Sequence, residues 1–387
     1  MDKYQSMISK LFEPDAFSED AFYMDREFRG RKLIVYGAGE SFHYFKEVVM
    51  RQYGYIPSVV LDRKFKAGDT FEGIPACSPI EYKPSEDEKQ NSIVVVCLGK
   101  QFIFEEVFQT FSRMGFRRII SLRDIYEIHN TFCLPEELYE TGFRYYAAQR
   151  DKIEAGLDLV CDEESKEVYM RCMQTHMQRK PVEIPMRDRH EQYAPEGIRF
   201  GRGYSRFIYC GTSVGELRSV LGRVGKVDEL VCIEPHPDQF KQAAEYLSAN
   251  KDSIARRITV LPCAVYSREA KLAFRCSDTG FGSRIIASDG PWVQAVSIDN
   301  ILYGFDPSFI CMDIEGAELE ALRGAENTIK ASLPDLAICV YHAPNHLWEI
   351  PLYIHNLGLG YKFYLRNYTS FVSETVLYAV AGGAAHE

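Results

Sequence analysis

Four carboxylates crowd the stretch FICMDIEGAELEALRGA, Phe309 to Ala325: Asp313, Glu315, Glu318 and Glu320 follow directly on four apolar residues. In an open parallel sheet, ligands bind beyond the carboxyl ends of the strands, so an apolar strand FICM would deliver Asp313 to the rim where chemistry is done. Asp313, last on that strand, is the candidate catalytic carboxylate. Glu318 and Glu320 have an ordinary reason to follow it, because acids in the first turn of a helix satisfy free amides and the dipole, worth about 1 kcal/mol. The helix expected from about Gly316 to Lys330 sets Leu319, Leu322, Ala325 and Ile329 toward the sheet and Glu318, Arg323 and Lys330 toward water. His342 ends the apolar run LAICVYH, which reads as the strand beside FICM and brings the imidazole to the same rim. A neutral imidazole beside a carboxylate is a general base suited to pH 7, which makes His342 the second catalytic candidate. Asp313, Glu315 and His342 lack metal-ligand spacing, and no metal is assigned.

The stretch RFIYCGTSVGELRSVL combines an apolar strand, Gly211 and Gly215, and a helical pattern through Leu217, Val220 and Leu221. Glycine lets the backbone turn sharply and lets a ligand approach where a Cβ would collide. Nineteen residues after Gly215, Glu234 ends the next strand, LVCIE. The first two strands of a doubly wound sheet lie side by side, so Glu234 would sit beside the loop and accept hydrogen bonds from both hydroxyls of a ribose. The G-x-G-x-x-G arrangement that aims helix amides at a pyrophosphate is missing. A ligand with a ribose and no pyrophosphate fits, and S-adenosylmethionine is the common one.

A second glycine loop lies near the N-terminus. In KLIVYGAGESFHYF, Gly37 and Gly39 open a strand-to-helix turn, and Asp62 at the end of VVLD takes the position of a ribose-binding acid. Phe42 stands where a dinucleotide fingerprint has its third glycine, which disfavours an NAD-dependent oxidoreductase. Gly37, Gly39 and Asp62 are the candidate nucleotide-binding residues of this region.

These sites require elements to carry them. Residues from about 31 to 128 alternate strand and helix signals, as a parallel sheet with crossover helices does. From 129 to 195 the sequence is polar and helix-favouring, ending at Pro181, Pro185 and Pro195. A second alternating region then runs to the C-terminus, and its last two strands, YKFYL and TVLYAV, follow one another without a helix. The expected fold is α/β: a Rossmann-like nucleotide- or nucleotide-sugar-binding-type domain over 1–128, a helical bridge over 129–195, and a second Rossmann-like domain over 196–387 ending in a β-hairpin.

Composition narrows the partners. With 387 residues, 46% hydrophobic and 26% charged, the chain has material for more than one core. A net charge of −10 without a Lys/Arg stripe argues against nucleic acid and anionic membranes. The 11 cysteines contain no CxxC, and Cys97, Cys232, Cys311 and Cys339 sit in strand-like apolar runs as small hydrophobes. The N-terminus has no signal-peptide pattern, and no run of about 18 apolar residues could span a bilayer, so a cytoplasmic protein is expected.

The block DIEGAELEALRGA from Asp313, with CIEPHPDQF at 232–240 and VSIDNIL at 296–302, resembles the FkbM family of S-adenosylmethionine-dependent methyltransferases, over roughly Tyr193 to Val380. The resemblance implies a class I methyltransferase fold and O-methylation of a sugar, a glycan precursor or another hydroxyl-bearing metabolite. Gly211 and Gly215 would line the methionine and adenosyl portion of the donor, Glu234 would hold its ribose, and Asp313 would border the methyl-transfer site. The family pattern begins its first loop with an acid, D-x-G-A-x-x-G, where this chain has Tyr209. The alternative is a non-catalytic nucleotide- or sugar-binding protein with a decayed methyltransferase domain. The block GIPACSPIEY resembles the nucleotide-sugar-binding domains that precede some sugar acyltransferases, which implies a nucleotide-linked ligand for the N-terminal domain.

Overall fold

The computed structural model describes residues 3–13, 28–98, 101–122, 143–178, 182–276, 283–286, 290–369 and 372–382. Two compact units divide the chain. One spans Pro14–His129 with Gln178–Pro181, and the other comprises Met1–Glu13, Asn130–Met177 and Val182–Glu387. The expected limits at 128 and 129 fall outside the described residues, as does Pro181.

In the first unit, β1 (Lys32–Tyr36), β2 (Val59–Leu61), β3 (Asp69–Phe71), β4 (Ile74–Cys77), β5 (Ser92–Val96) and β6 (Ile119–Ser121) form one sheet in the order β3-β4-β2-β1-β5-β6. Every pairing is parallel except β3 with β4. Gly37 follows β1 with φ +102°, and a Cβ there would come 2.4 Å from the Cys97 carbonyl oxygen, so no larger residue fits. Asp62 directly follows β2 and turns its carboxylate to the Gly37–Gly39 turn. Its Oδ2 accepts the Ala38 amide at 2.9 Å and its Oδ1 the Lys64 amide at 3.1 Å, while Lys64 Nζ donates to the Ala38 carbonyl at 2.7 Å. Phe42 is buried edge-on against Phe71, ring centres 4.9 Å apart. The acid therefore braces the Gly37–Gly39 turn.

The second unit takes in the segment expected to be a separate bridge, and also the helix Lys3–Leu11. The helix Arg150–Leu159 packs on the helix His346–Asn356, and Glu163–Gln178 reaches the sheet, where Ser165 Oγ accepts the Leu365 amide at 2.8 Å. A Cβ at Gly156 would lie 3.0 Å from that of Trp348, and Trp348 is fully buried in the helix His346–Asn356. Arg366 is buried too. Its Nη2 meets Asp162 Oδ2 at 2.6 Å and its Nη1 donates to Ser165 Oγ at 2.9 Å, so the guanidinium fastens these helices.

The sheet of this unit contains β7 (Arg206–Cys210), β8 (Val227–Ile233), β9 (Ala255–Leu261), β14 (Phe309–Met312), β15 (Asp335–Cys339), β16 (Lys362–Asn367) and β17 (Thr375–Val380), in the order β16-β17-β15-β14-β7-β8-β9. The last two strands form an antiparallel pair, and β17 inserts between β15 and β16 instead of lying at the edge. Between β9 and β14, β10 (Ala264–Val265), β11 (Ala270–Arg275), β12 (Arg284–Ile285) and β13 (Trp292–Val296) make a four-stranded sheet. β7, β8, β14 and β15 are apolar and buried on both faces, as strands covered by crossover helices are.

The expected helix over 316–330 is two helices, Glu318–Arg323 and Glu326–Ser332. A Cβ at Gly324 would fall 2.1 Å from the Tyr266 carbonyl oxygen, so the chain breaks where two backbones touch. Asp299, from the VSIDNIL block, then starts the second helix by accepting the amides of Asn327 and Thr328 at 3.0 and 2.7 Å.

Candidate active site

Register brings the site together. Cys210 of β7 pairs with Ile233 of β8 and with Met312 of β14, so the residues that follow, Gly211, Glu234 and Asp313, emerge at one rim. All three line a pocket there. Gly211 is required by its surroundings: its φ is +82°, and a Cβ would lie 1.7 Å from the Asp313 carbonyl oxygen. Gly215 is exposed, is not among the lining residues, and a Cβ there would meet nothing closer than Ser213 Oγ at 3.8 Å. That glycine is the one member of the expected donor set without a steric reason.

Among the described residues, five carboxylates line the pocket, Glu216, Glu234, Asp313, Glu315 and Glu374, and no Lys, Arg or His stands with them. Burial pushes Glu234 up to about 7, against the opposing effect of the backbone amides of His236 and Thr212; the His236 amide donates to its Oε1 at 2.7 Å. Burial raises Asp313 to about 7, with nearby Glu374 and Glu315 adding to the rise and His342 and the Tyr193 hydroxyl opposing it. Glu216 is lifted to about 8 by burial and by Asp313 and Glu374, with Arg189 opposing. Carboxylates this close repel one another, and a cation bound among them would relieve the repulsion.

Asp313 is held from several directions. Tyr193 Oη donates to its Oδ2 at 2.8 Å, Tyr341 Oη lies 3.5 Å from its Oδ1, and His342 Nε2 lies 3.3 Å from the same oxygen. His342 follows β15 and stands at the rim beside Asp313. It is buried behind Asp313, Nδ1 is 2.8 Å from Glu318 Oε1, and Nε2 is 3.5 Å from Glu315 Oε2. Burial alone would lower its pKa, yet Glu318, Glu315 and Asp313 together raise it to about 10. The three carboxylates around the ring favour its protonated form.

Glu318, expected to face water, is fully buried. Its Oε1 accepts the Ile314 amide at 3.0 Å as well as facing His342, and its Oε2 lies 3.2 Å from His346 Nδ1, out of line for a hydrogen bond. Burial disfavours the charge, but His342 outweighs it and holds this carboxyl well below the usual range. Metal-capable groupings exist among the described residues, Asp313 with Glu318 and His342, and Asp313 with Glu216 and Glu374. In the first, the imidazolium already supplies the positive charge.

Sequence reasoning did not single out Tyr193, Glu216 or Glu374. Tyr193 and Glu374 come from loops, and both, like Glu315, take left-handed backbone, at φ +66°, +60° and +55°. Such strain in non-glycine residues gathers where side chains must be aimed. Glu216 carried a signal, an acid directly after the second glycine of the loop.

The chain aligns with the crystal structure of the methyltransferase FkbM from Methylobacillus flagellatus KT over 97% of its own length and 98% of the other, at 20% identity and a TM-score of 0.67. The Aeropyrum pernix fibrillarin bound to S-adenosyl-L-methionine covers 47% of the chain and 70% of its own, at 14% identity and a TM-score of 0.30, too low to weigh. No curated protein matches the chain. Residues 210–363 match the family model of the methyltransferase FkbM domain.

Proposed function

We propose that the chain is an S-adenosylmethionine-dependent O-methyltransferase whose acceptor is a hydroxyl of a sugar or glycan precursor. The observation that carries the reading is the pocket at the β7, β8 and β14 rim, lined among the described residues by five carboxylates and no basic residue. Such a lining favours a ligand with a sulfonium and an ammonium over one with phosphates. S-adenosylmethionine supplies an electrophilic methyl group on a leaving group that needs no further activation. Gly211 lets the β7 turn pass against the Asp313 backbone, and Glu234 offers carboxylate oxygens to a ribose diol. Asp313, raised to about 7, takes the acceptor's proton, and Tyr193 and the imidazolium of His342 orient it. A hydroxyl acceptor is favoured because an aligned carboxylate of raised basicity is what a weakly acidic oxygen needs. The choice of a sugar rests on the family resemblance alone.

The test is transfer of labelled methyl from S-adenosylmethionine to a panel of free and nucleotide-linked sugars. Wild-type protein is expected to label a hydroxyl, with Asp313→Asn slowed at least about 100-fold and Glu234→Ala raised in donor KM. Labelling of amines alone, or full turnover by Asp313→Asn, would refute the assignment.

A further inference from the structure

Tyr209 occupies the position where the family pattern has an acid. It is fully buried, its ring edge-on to Tyr193 and Phe207 with centres 5.8 and 5.7 Å away. Its hydroxyl leaves this cluster and donates to Glu216 Oε2 at 3.1 Å. Glu216 stands in the first turn of the helix Val214–Val224, lines the pocket, and has Oε1 3.6 Å from Arg189 Nη2. The carboxylate absent from the strand end has a counterpart one tyrosine ring away.

Strand order fixes which part of a ligand would meet it. Glu234 lies on the β8 side of Gly211 and Asp313 on the β14 side. Carboxylate oxygens of Glu216, Asp313 and Glu374 come within 4.8 Å of one another. A donor with its ribose at Glu234 that passes over Gly211 therefore brings its far end to Glu216. Resting on the donor reading above, we propose that Glu216 replaces the strand-end acid and binds the α-ammonium of the donor's methionine tail, with Tyr209 as the positioning residue that aims it. The ammonium is singled out over the sulfonium because it carries N–H donors, which a carboxylate fixed by a hydroxyl can meet in a charge-assisted hydrogen bond. Asp313 and Glu374 disfavour the charge of Glu216 in the empty pocket, and a bound cation restores it. Tyr209 in this arrangement preserves the donor site.

The experiment is calorimetric titration of the full chain, in buffer containing EDTA, with S-adenosylmethionine, S-adenosylhomocysteine and 5′-methylthioadenosine. The second ligand keeps the ammonium and lacks the sulfonium charge; the third lacks the amino-acid tail. Glu216→Gln is expected to weaken the first two alike, by about 10- to 100-fold, and to leave 5′-methylthioadenosine unchanged. Tyr209→Phe is expected to show the same pattern at about 3- to 10-fold, and it decides the matter if Glu216→Gln fails to fold. Loss confined to S-adenosylmethionine would move the contact to the sulfonium and overturn the proposal. Equal loss of all three ligands would make Glu216 structural, and wild-type affinity that vanishes in EDTA would assign the cluster to a metal. Absence of binding by the wild type would instead sink the donor reading itself, whereas full affinity in Glu216→Gln beside a weakened Glu234→Ala would sink this proposal alone.

Discussion

Glu318→Gln isolates the charge on which the rear wall of the site depends. The glutamine keeps the length of the side chain, and its Oε1 can still accept the Ile314 amide, so the change removes chiefly the negative charge 2.8 Å from His342 Nδ1. Breaking one member of a buried ion pair costs about 3–5 kcal/mol. His342 keeps Asp313 at 3.3 Å and Glu315 at 3.5 Å, which places the loss near the lower end, about 3 kcal/mol. For a unit of this size that is a fall in Tm of roughly 6–12 °C. Both tryptophans, Trp292 and Trp348, belong to the second unit, so fluorescence-detected unfolding in urea reports that unit alone. The pH dependence has a defined sign. His342 has a raised pKa, so its stabilisation is full below 6.5 and is lost as pH rises through about 10. Glu318 has a depressed one, so its stabilisation is full above 4.5 and lost only in strong acid. The gap between wild type and Glu318→Gln should therefore be widest from about pH 5 to about pH 6.5 and narrow as pH rises through about 10. A cost below about 1 kcal/mol, or a gap that stays constant to pH 11, would refute the account of His342 as a buried imidazolium.

Tyr193→Phe removes the hydroxyl that stabilises the Asp313 carboxylate, so the acid limb of kcat/KM, which reports the coupled carboxylates near pH 7, should move up by about one unit or less; a limb that moves down would remove Tyr193 from the site. Gly211→Ala places a Cβ 1.7 Å from the Asp313 carbonyl oxygen at φ +82° and should abolish donor binding in titration, whereas Gly215→Ala, facing open space, should change donor affinity less than about 3-fold. Equal behaviour of the two glycines would contradict the assignment of the turn.

The rim was legible because few physical rules create it. Apolar runs at FIYC, LVCI and FICM must be buried strands, parallel pairing aligns their ends, and Gly211, Glu234 and Asp313 follow those ends directly. The charge state of His342 was not legible, although Asp313, Glu315 and Glu318 lie within six residues of one another. Helical periodicity sends Glu318 to water, and only the left-handed turn at Glu315 and the break at Gly324 fold that segment around the ring. Tyr193 and Glu374 come from loops, where no periodicity reports which way a side chain points. Asp62 shows the converse: the position of a ribose-binding acid was recognisable, but its occupation by two backbone amides depends on the turn that it braces.

The most direct measurement of the central claim is a crystal structure of the protein with S-adenosylhomocysteine. Density is expected in the pocket at the β7, β8 and β14 rim, with the ribose hydroxyls on Glu234, the sulfur over Gly211 toward Asp313 and the amino group at Glu216. Density for the ligand at any other position, or a rim pocket left empty at saturating ligand, would contradict it.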